Sequence, residues 1–502
     1  MLFLVALGVY FLIFLGISIY HYKHNTNVDS YYLADRSTGG FLQTMTNFAT
    51  ISSSFTMMGA IGFIYGHGLA YAYAGWMWTS LYILVWLVIG SRAYLLSKKK
   101  NWMTGTDVAS DYFKYGKFHI VASLILVLVQ FPYLIAQMMA VGYLFNVFAG
   151  IDVVYGVLIC VLILTIYGFM GGVKTVIWSD AVNGIIIMSV LAALFILLVP
   201  KALAQGPMLA TLVQQFPKQF TFPGALGTWK PLHVITYTAT FGIGYSCIPF
   251  FINRYFTAKS YSVMRKSIGK SNLIVNTFTW TVGPTLGLLM LYLMPGVGGG
   301  LDKVPPTVVF TLIPIVGIMY GIAIVAGSVS TADSAMLTVS SLLLKDIYPR
   351  LLKKEASETH MLWAGRICTL LVGLVAMAFA VLNPNYIVIL VGMSAAMGAI
   401  VLFCFLMGPL GVKWVTKSAS MWASVISTVY IILSLFGVFP KTLFGLPATT
   451  IAVFLCLGLV VIFSAVTQKV NKDIQSEFHG YLDDCLTPLD QKAVNKATIS
   501  AK

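Results

Sequence analysis

Charge is what this chain of 502 residues has least of: Asp, Glu, Lys and Arg together make up 9%, and only 16 residues are acidic. A soluble domain carries about 25% charged residues, so this chain cannot dress a water-facing surface. Cysteine is scarce as well. The six (Cys160, Cys247, Cys368, Cys404, Cys456 and Cys485) show no C-x-x-C or other metal-ligand spacing, and they read as small core residues. No glycine-rich phosphate loop is present, which excludes ATP hydrolysis of the usual kind. Alternating segments of about ten residues, the mark of a membrane β-barrel, are missing too. Within the apolar runs only Asp180 and Asp333 carry a carboxylate suited to chemistry, too few for a membrane-embedded enzyme. There is no separate hydrophilic domain: the longest polar stretches are a loop over about 200–231 and a tail over about 467–502.

What fills the chain is hydrophobic residue, 59% of it, in runs of roughly 20 that match the thickness of a bilayer core crossed as helix. The reading is an all-α polytopic membrane protein with about 13 transmembrane helices, near 2–20, 39–65, 70–97, 120–149, 153–169, 179–199, 232–253, 271–296, 314–344, 361–381, 385–409, 414–438 and 446–466. The first run lacks a basic leader and an A-x-A-like cleavage site, so it reads as a retained span. The net charge of +15 would suggest nucleic acid in a soluble protein; here its distribution marks topology. With the N-terminus outside, five of the 31 basic residues fall outside: Lys201, Lys218, Lys230, Lys303 and Lys441. The rest cluster inside, at Arg92 with Lys98–Lys100, at Arg254–Lys270 and at Lys345–Lys354. Such a bias orients membrane helices, and it predicts a C-terminus in the cytoplasm. The tail mixes both charge signs with few aromatics, and predicts a cytoplasmic extension of low order.

Three spans break the apolar pattern. The second carries Asn47-Phe48-Ala49-Thr50-Ile51-Ser52-Ser53-Ser54, and the seventh carries Phe241-Gly242-Ile243-Gly244-Tyr245 with Pro249 beyond. Gly, Pro and Ser permit a break whose freed backbone groups then need a partner. Paired interrupted helices point to a central transport site; small residues for close helix packing would give the same composition. The ninth span carries Ala326-Gly327-Ser328-Val329-Ser330-Thr331-Ala332-Asp333-Ser334. A buried carboxylate is costly and lines a polar path, and Ser330, Thr331 and Ser334 lie within about one helical turn of one another. Hydroxyl, carbonyl and carboxylate oxygens suit a hard cation.

At these residues the chain resembles the sodium:solute symporter family, which includes proline and pantothenate symporters and sodium/glucose cotransporters. The resemblance covers about 1–440 and rests on four stretches in order. They are Tyr31-Tyr32-Leu33-Ala34-Asp35-Arg36, Gly171 to Asp180, the Ser330–Ser334 run, and Lys345-Asp346-Ile347-Tyr348. It implies a ten-helix core of two inverted five-helix repeats, with one helix before and two after. The chain then divides into 1–38 (first helix and cytoplasmic loop), 39–410 (core), 411–466 (two further helices) and 467–502 (tail). It also implies a sodium site from the backbone oxygens of Ala49, Ser52 and Gly327 with the hydroxyls of Ser330 and Thr331. The second cation site of some members would fall between Asp180 and the group Ser330, Asp333 and Ser334. Asp180, where the sixth span begins, equally suits a helix cap. Solute contacts carried over from the proline symporters are Tyr133, Phe241, Tyr245 and Pro249, with Ser53 at the break. That pattern has Trp at Phe241 and Asp at Ile51, so an indole donor and a fixed charge are both lost.

The implied function is sodium-coupled import of a small polar organic solute through the plasma (inner) membrane. The partners are the solute, sodium and the bilayer; no nucleic acid, enzyme activity or obligate protein partner is expected. Rivals are proton coupling on the same scaffold, since two nearby carboxylates can share a proton, and a solute sensor that does not transport.

Overall fold

The computed structural model describes residues 2–23, 27–352, 357–382, 387–440 and 442–486. Lys353, Lys354, Lys441 and residues 487–502 lie outside the described residues. The apolar runs form helices α1 (Leu2–Tyr22), α2 (Gly40–Ile51), α3 (Phe55–His67), α4 (Leu69–Lys100), α5 (Gly116–Ala149) and α6 (Val153–Leu203). They continue as α7 (Pro231–Cys247), α8 (Pro249–Thr257), α9 (Tyr261–Leu293), α10 (Pro314–Leu351), α11 (Glu358–Leu382), α12 (Ile387–Leu406), α13 (Lys417–Leu435) and α14 (Ala448–Val466). Among the described residues, ten helices are long and apolar enough to cross a membrane, or twelve if α2–α3 and α7–α8 each count as one bent span. Residues Val153–Leu164 of α6 form a shorter apolar helix.

α1 shows how periodicity becomes packing. Phe3, Leu7, Tyr10 and Phe14 are buried against the bundle, while Leu2, Val5, Val9 and Leu12 face outward. Three to four residues separate successive buried positions, one stripe of a helix. Lipid tails are as apolar as leucine, so burial alone does not draw such helices together; close packing and polar contacts do. α7 and α12 show this most directly. A Cβ on Gly244 would lie 1.8 Å from the Ala395 carbonyl oxygen, and one on Gly398 would lie 2.2 Å from that of Gly244. The two spans meet backbone to backbone.

Two breaks interrupt the bundle. α2 and α3 meet at 50° around Ser52–Ser54, and α7 and α8 at 47° around Ile248. At the first, the Ser53 hydroxyl accepts from Phe55 N–H (3.2 Å) and the Ser53 carbonyl accepts from the Thr56 hydroxyl (2.9 Å). Serine and threonine thus offer the chain a local alternative to the helical ladder. At the second, Pro249 has no N–H to give, and Ile248 before it takes the extended backbone (φ −62°, ψ 133°) that precedes proline.

The structure corrects the sequence reading in three places. The stretch 170–178, read as a connection, is helix: α6 runs on from residue 153 to 203 and only kinks at Gly172 (φ 58°). Tyr31 packs where a Cβ on Gly172 would point, 2.6 Å away, so only glycine admits both contact and kink. Asp180 therefore lies inside a helix and caps nothing. The tail, expected to have little order, is helical over Lys472–Gln475 and Tyr481–Leu486. Its Phe478 is buried between Trp102 and Tyr112, at ring distances of 5.9 and 5.3 Å. Arg254, read as the start of a basic loop, is buried within α8.

Candidate ion and solute site

α10 runs through the centre with every residue from Ala323 to Leu342 buried, and its hydroxyl run meets the first break. The Thr331 hydroxyl donates to the Thr50 carbonyl (3.1 Å) and to its own Gly327 carbonyl (3.1 Å). A Cβ on Gly327 would lie 2.5 Å from the Ser52 carbonyl oxygen, so glycine is what lets α10 touch the break. The Ser330 hydroxyl lies beside the Asp180 carboxylate without a well-formed hydrogen bond to it. The Ser52 hydroxyl is buried without a partner. Hydroxyl and carbonyl oxygens therefore dominate this junction. Among the described residues no three His, Cys, Asp or Glu side chains converge as a transition-metal site. A hard alkali ion is what such oxygens suit.

Four residues further along α10 the polar groups change character. Asp180 is fully buried; its Oδ2 accepts from the Thr46 hydroxyl and, at 3.1 Å, from Arg254 Nη2. The same guanidinium nitrogen donates to the Ser334 hydroxyl and, at 3.4 Å, to the Thr50 hydroxyl. Asp333 is within electrostatic reach of both Asp180 and Arg254, and its Oδ1 is buried without a hydrogen-bond partner. A protein-borne cation thus stands among the residues of the expected second cation site. Val176, Phe250, Asn253, Arg254, Ser334 and Thr338 line a small cavity there.

On the other side of the break, Tyr133 from α5 and Tyr245 from α7 join hydroxyls. Tyr133 Oη also bonds the Ser53 hydroxyl (3.0 Å), and Tyr245 Oη donates to the Ile51 carbonyl (3.5 Å). Phe241 stacks on Phe55 with centroids 5.8 Å apart, and Trp78 closes the wall at 5.6 Å from Phe241. Aromatic faces and hydroxyls make up this buried cluster.

Residues 31–427 match the sodium:solute symporter family. The chain belongs to that family. Sodium/proline symporters of Staphylococcus aureus strains bovine RF122 / ET3-1 and JH9 are each 24% identical to this symporter, with 95% of both chains covered. A substrate-bound, outward-open Na+-coupled sialic acid symporter shares its fold, with TM-score 0.79, 17% identity, and 94% of this chain and 99% of that one covered. MHP1, a nucleobase-cation-symport-1 family transporter in a closed conformation, superposes with TM-score 0.56, 14% identity, and coverage of 90% and 98%. The protein is a membrane transporter and not an enzyme, and sodium is the coupling ion of its family.

Of the sequence-derived ion residues, Ser52, Gly327 and Thr331 meet at one junction of the symporter, Ser330 lies beside Asp180, and Ala49 precedes Thr50 on α2. Asp180 and Ser334 are joined through Arg254. Tyr133, Tyr245 and Ser53 form one hydrogen-bonded group with Phe241 beside it, and Pro249 starts α8 below them. Sequence reasoning missed Arg254, Thr46 and Thr50. Arg254 had a signal, a basic residue five positions after the proline of a broken span; Thr46 and Thr50 carried none beyond the hydroxyl run.

Proposed function

We propose that this symporter imports a small polar organic solute with sodium by alternating access. The solute class is an amino acid such as proline, pantothenate or a small carboxylate. The observation that carries the reading is the Thr331–Thr50 hydrogen bond with the Ser52 carbonyl over Gly327, which brings the broken helix and α10 together at their oxygens. Sodium would be held there by the backbone oxygens of Ala49, Ser52 and Gly327 and the hydroxyls of Ser330 and Thr331. The solute would lie against Tyr133, Phe241, Tyr245, Ser53 and Pro249. The four consecutive positions from Ala49 to Ser52 and the adjacent Ser53 give ion and solute a shared wall, so each stabilises the arrangement the other needs. A coupling free energy of about 1–3 kcal/mol suffices for a gradient to drive uptake.

The reading includes thirteen spans as two inverted five-helix repeats with one helix before and two after, N-terminus outside and C-terminus in the cytoplasm of a plasma-membrane protein. The charge distribution and the two bent spans support it. Asp180, Ser330, Asp333 and Ser334 are the candidates for a second cation, and Arg254 already supplies a positive charge among them.

The deciding experiment is uptake of labelled L-proline, pantothenate, lactate and pyruvate into proteoliposomes under an inward sodium gradient. Ser330→Ala and Thr331→Ala should each raise the sodium needed for half-maximal uptake by about tenfold. Wild-type sodium dependence in both variants overturns the site, and sodium-independent uptake stimulated by acid selects proton coupling.

A further inference from the structure

Gln137 sits one helical turn beyond Tyr133 on α5 and is fully buried. Its amide oxygen accepts from the Ser54 N–H (3.2 Å) and from the Ser54 hydroxyl (2.7 Å), while its amide nitrogen donates to the Tyr133 carbonyl (3.3 Å). The break leaves the Ser54 N–H without a helical acceptor. A donor stranded away from water is costly, so something must take it, and one neutral side chain takes both donors of this residue. The break then divides its work among neighbours. Ser52 presents its carbonyl to α10, Ser53 bonds Tyr133 Oη, and Ser54 is anchored by Gln137. Both Tyr133 and Gln137 project from one face of α5, spaced four residues apart, so α5 grips the break at two adjacent points.

We infer that Gln137 is a positioning residue that transmits sodium binding at the Ala49–Ser52 carbonyls to the solute pocket at Ser53 and Tyr133. The inference rests on the sodium site proposed above. With Ser54 pinned, a shift of the Ser52 carbonyl toward an arriving ion cannot relax into α3; it must turn Ser53 against Tyr133. Without the pin the same shift would dissipate along the break. The oxygen suits the post because one atom accepts both Ser54 donors.

Sodium alone serves as the probe, so the test needs no knowledge of the solute. In the protein with Ser53 intact, as parent, the rate of backbone deuterium labelling in the peptides spanning residues 52–57 and 131–139 is followed by mass spectrometry with and without sodium, alongside ²²Na⁺ binding. The parent should show ²²Na⁺ binding and at least a fivefold sodium effect on labelling. In Gln137→Leu the effect should fall below twofold, while Gln137→Glu, which keeps the acceptor oxygen, should retain most of it. Ser54→Ala, which removes only the hydroxyl contact, should give an intermediate effect and stands in if the leucine variant does not fold. A parent-like sodium effect in Gln137→Leu overturns the inference, as does an equal collapse in Leu and Glu variants. Absence of ²²Na⁺ binding in the parent instead overturns the sodium site itself.

Discussion

Arg254 and Asp180 show how a single ion pair can sit deep in an apolar span. Neither charge could stay there alone, and removing one partner of a buried pair costs about 3–5 kcal/mol. Arg254→Gln and Asp180→Asn should each lower the thermal unfolding temperature in detergent, and the double variant should lose less than the two single losses combined. Additive losses would mean the pair is not coupled in the folded protein. Gly327 makes a second residue-scale case. Gly327→Ala pushes a methyl group at the Ser52 carbonyl and should raise half-saturating sodium by about tenfold or more, while leaving expression near normal. Ser330, Thr331 and Asp333 could be found from sequence because hydroxyls around a carboxylate are conspicuous among leucines. Arg254 was hidden because the carboxylate that compensates its burial lies 74 positions away, and no local pattern records that partnership.

Among the elements, the broken spans were legible for the reason they exist: Ser, Gly and Pro weaken the helical ladder wherever they gather. The bend of α6 was not, since Gly171-Gly172 reads equally as a loop. The helical tail escaped notice because its segments are too short to show a periodicity and borrow their order from Trp102 and Tyr112. Phe478→Ala should free it, seen as faster tryptic cleavage at Lys469 and Lys472 with the rest of the chain protected. At the opposite end, Asp302 lies in the short helix Leu301–Lys303, where its Oδ2 accepts from Ile387 N–H at the start of α12 (3.0 Å) and its Oδ1 has no hydrogen-bond partner. Burial pushes this carboxyl from its ordinary 3.8 up to about 7. The folded form thus holds the proton more tightly, so its contribution to stability is complete below about pH 4 and is lost as pH rises through 7. Thermal unfolding from pH 4 to 8 should show that decline, and Asp302→Asn should remove it.

For the whole molecule, composition alone separated a polytopic membrane protein from every soluble class, because the hydrocarbon thickness leaves helices of one length as the open solution. The existence of many apolar spans could be read from the sequence, whereas the meeting of α2, α7 and α10 depends on contacts between positions far apart in the chain. One sodium carried with a neutral or zwitterionic solute moves one net charge. An inside-negative potential of 100 mV imposed with valinomycin adds about 2.3 kcal/mol, on the order of fiftyfold in limiting accumulation. Uptake unaffected by that potential would exclude a single uncompensated sodium.

Where α7 and α12 cross at Gly244 and Gly398, no side chains stand between them to act as bearings. A methyl group on either glycine would strike the facing backbone, so Gly244→Ala or Gly398→Ala should wedge the two spans apart and loosen the bundle.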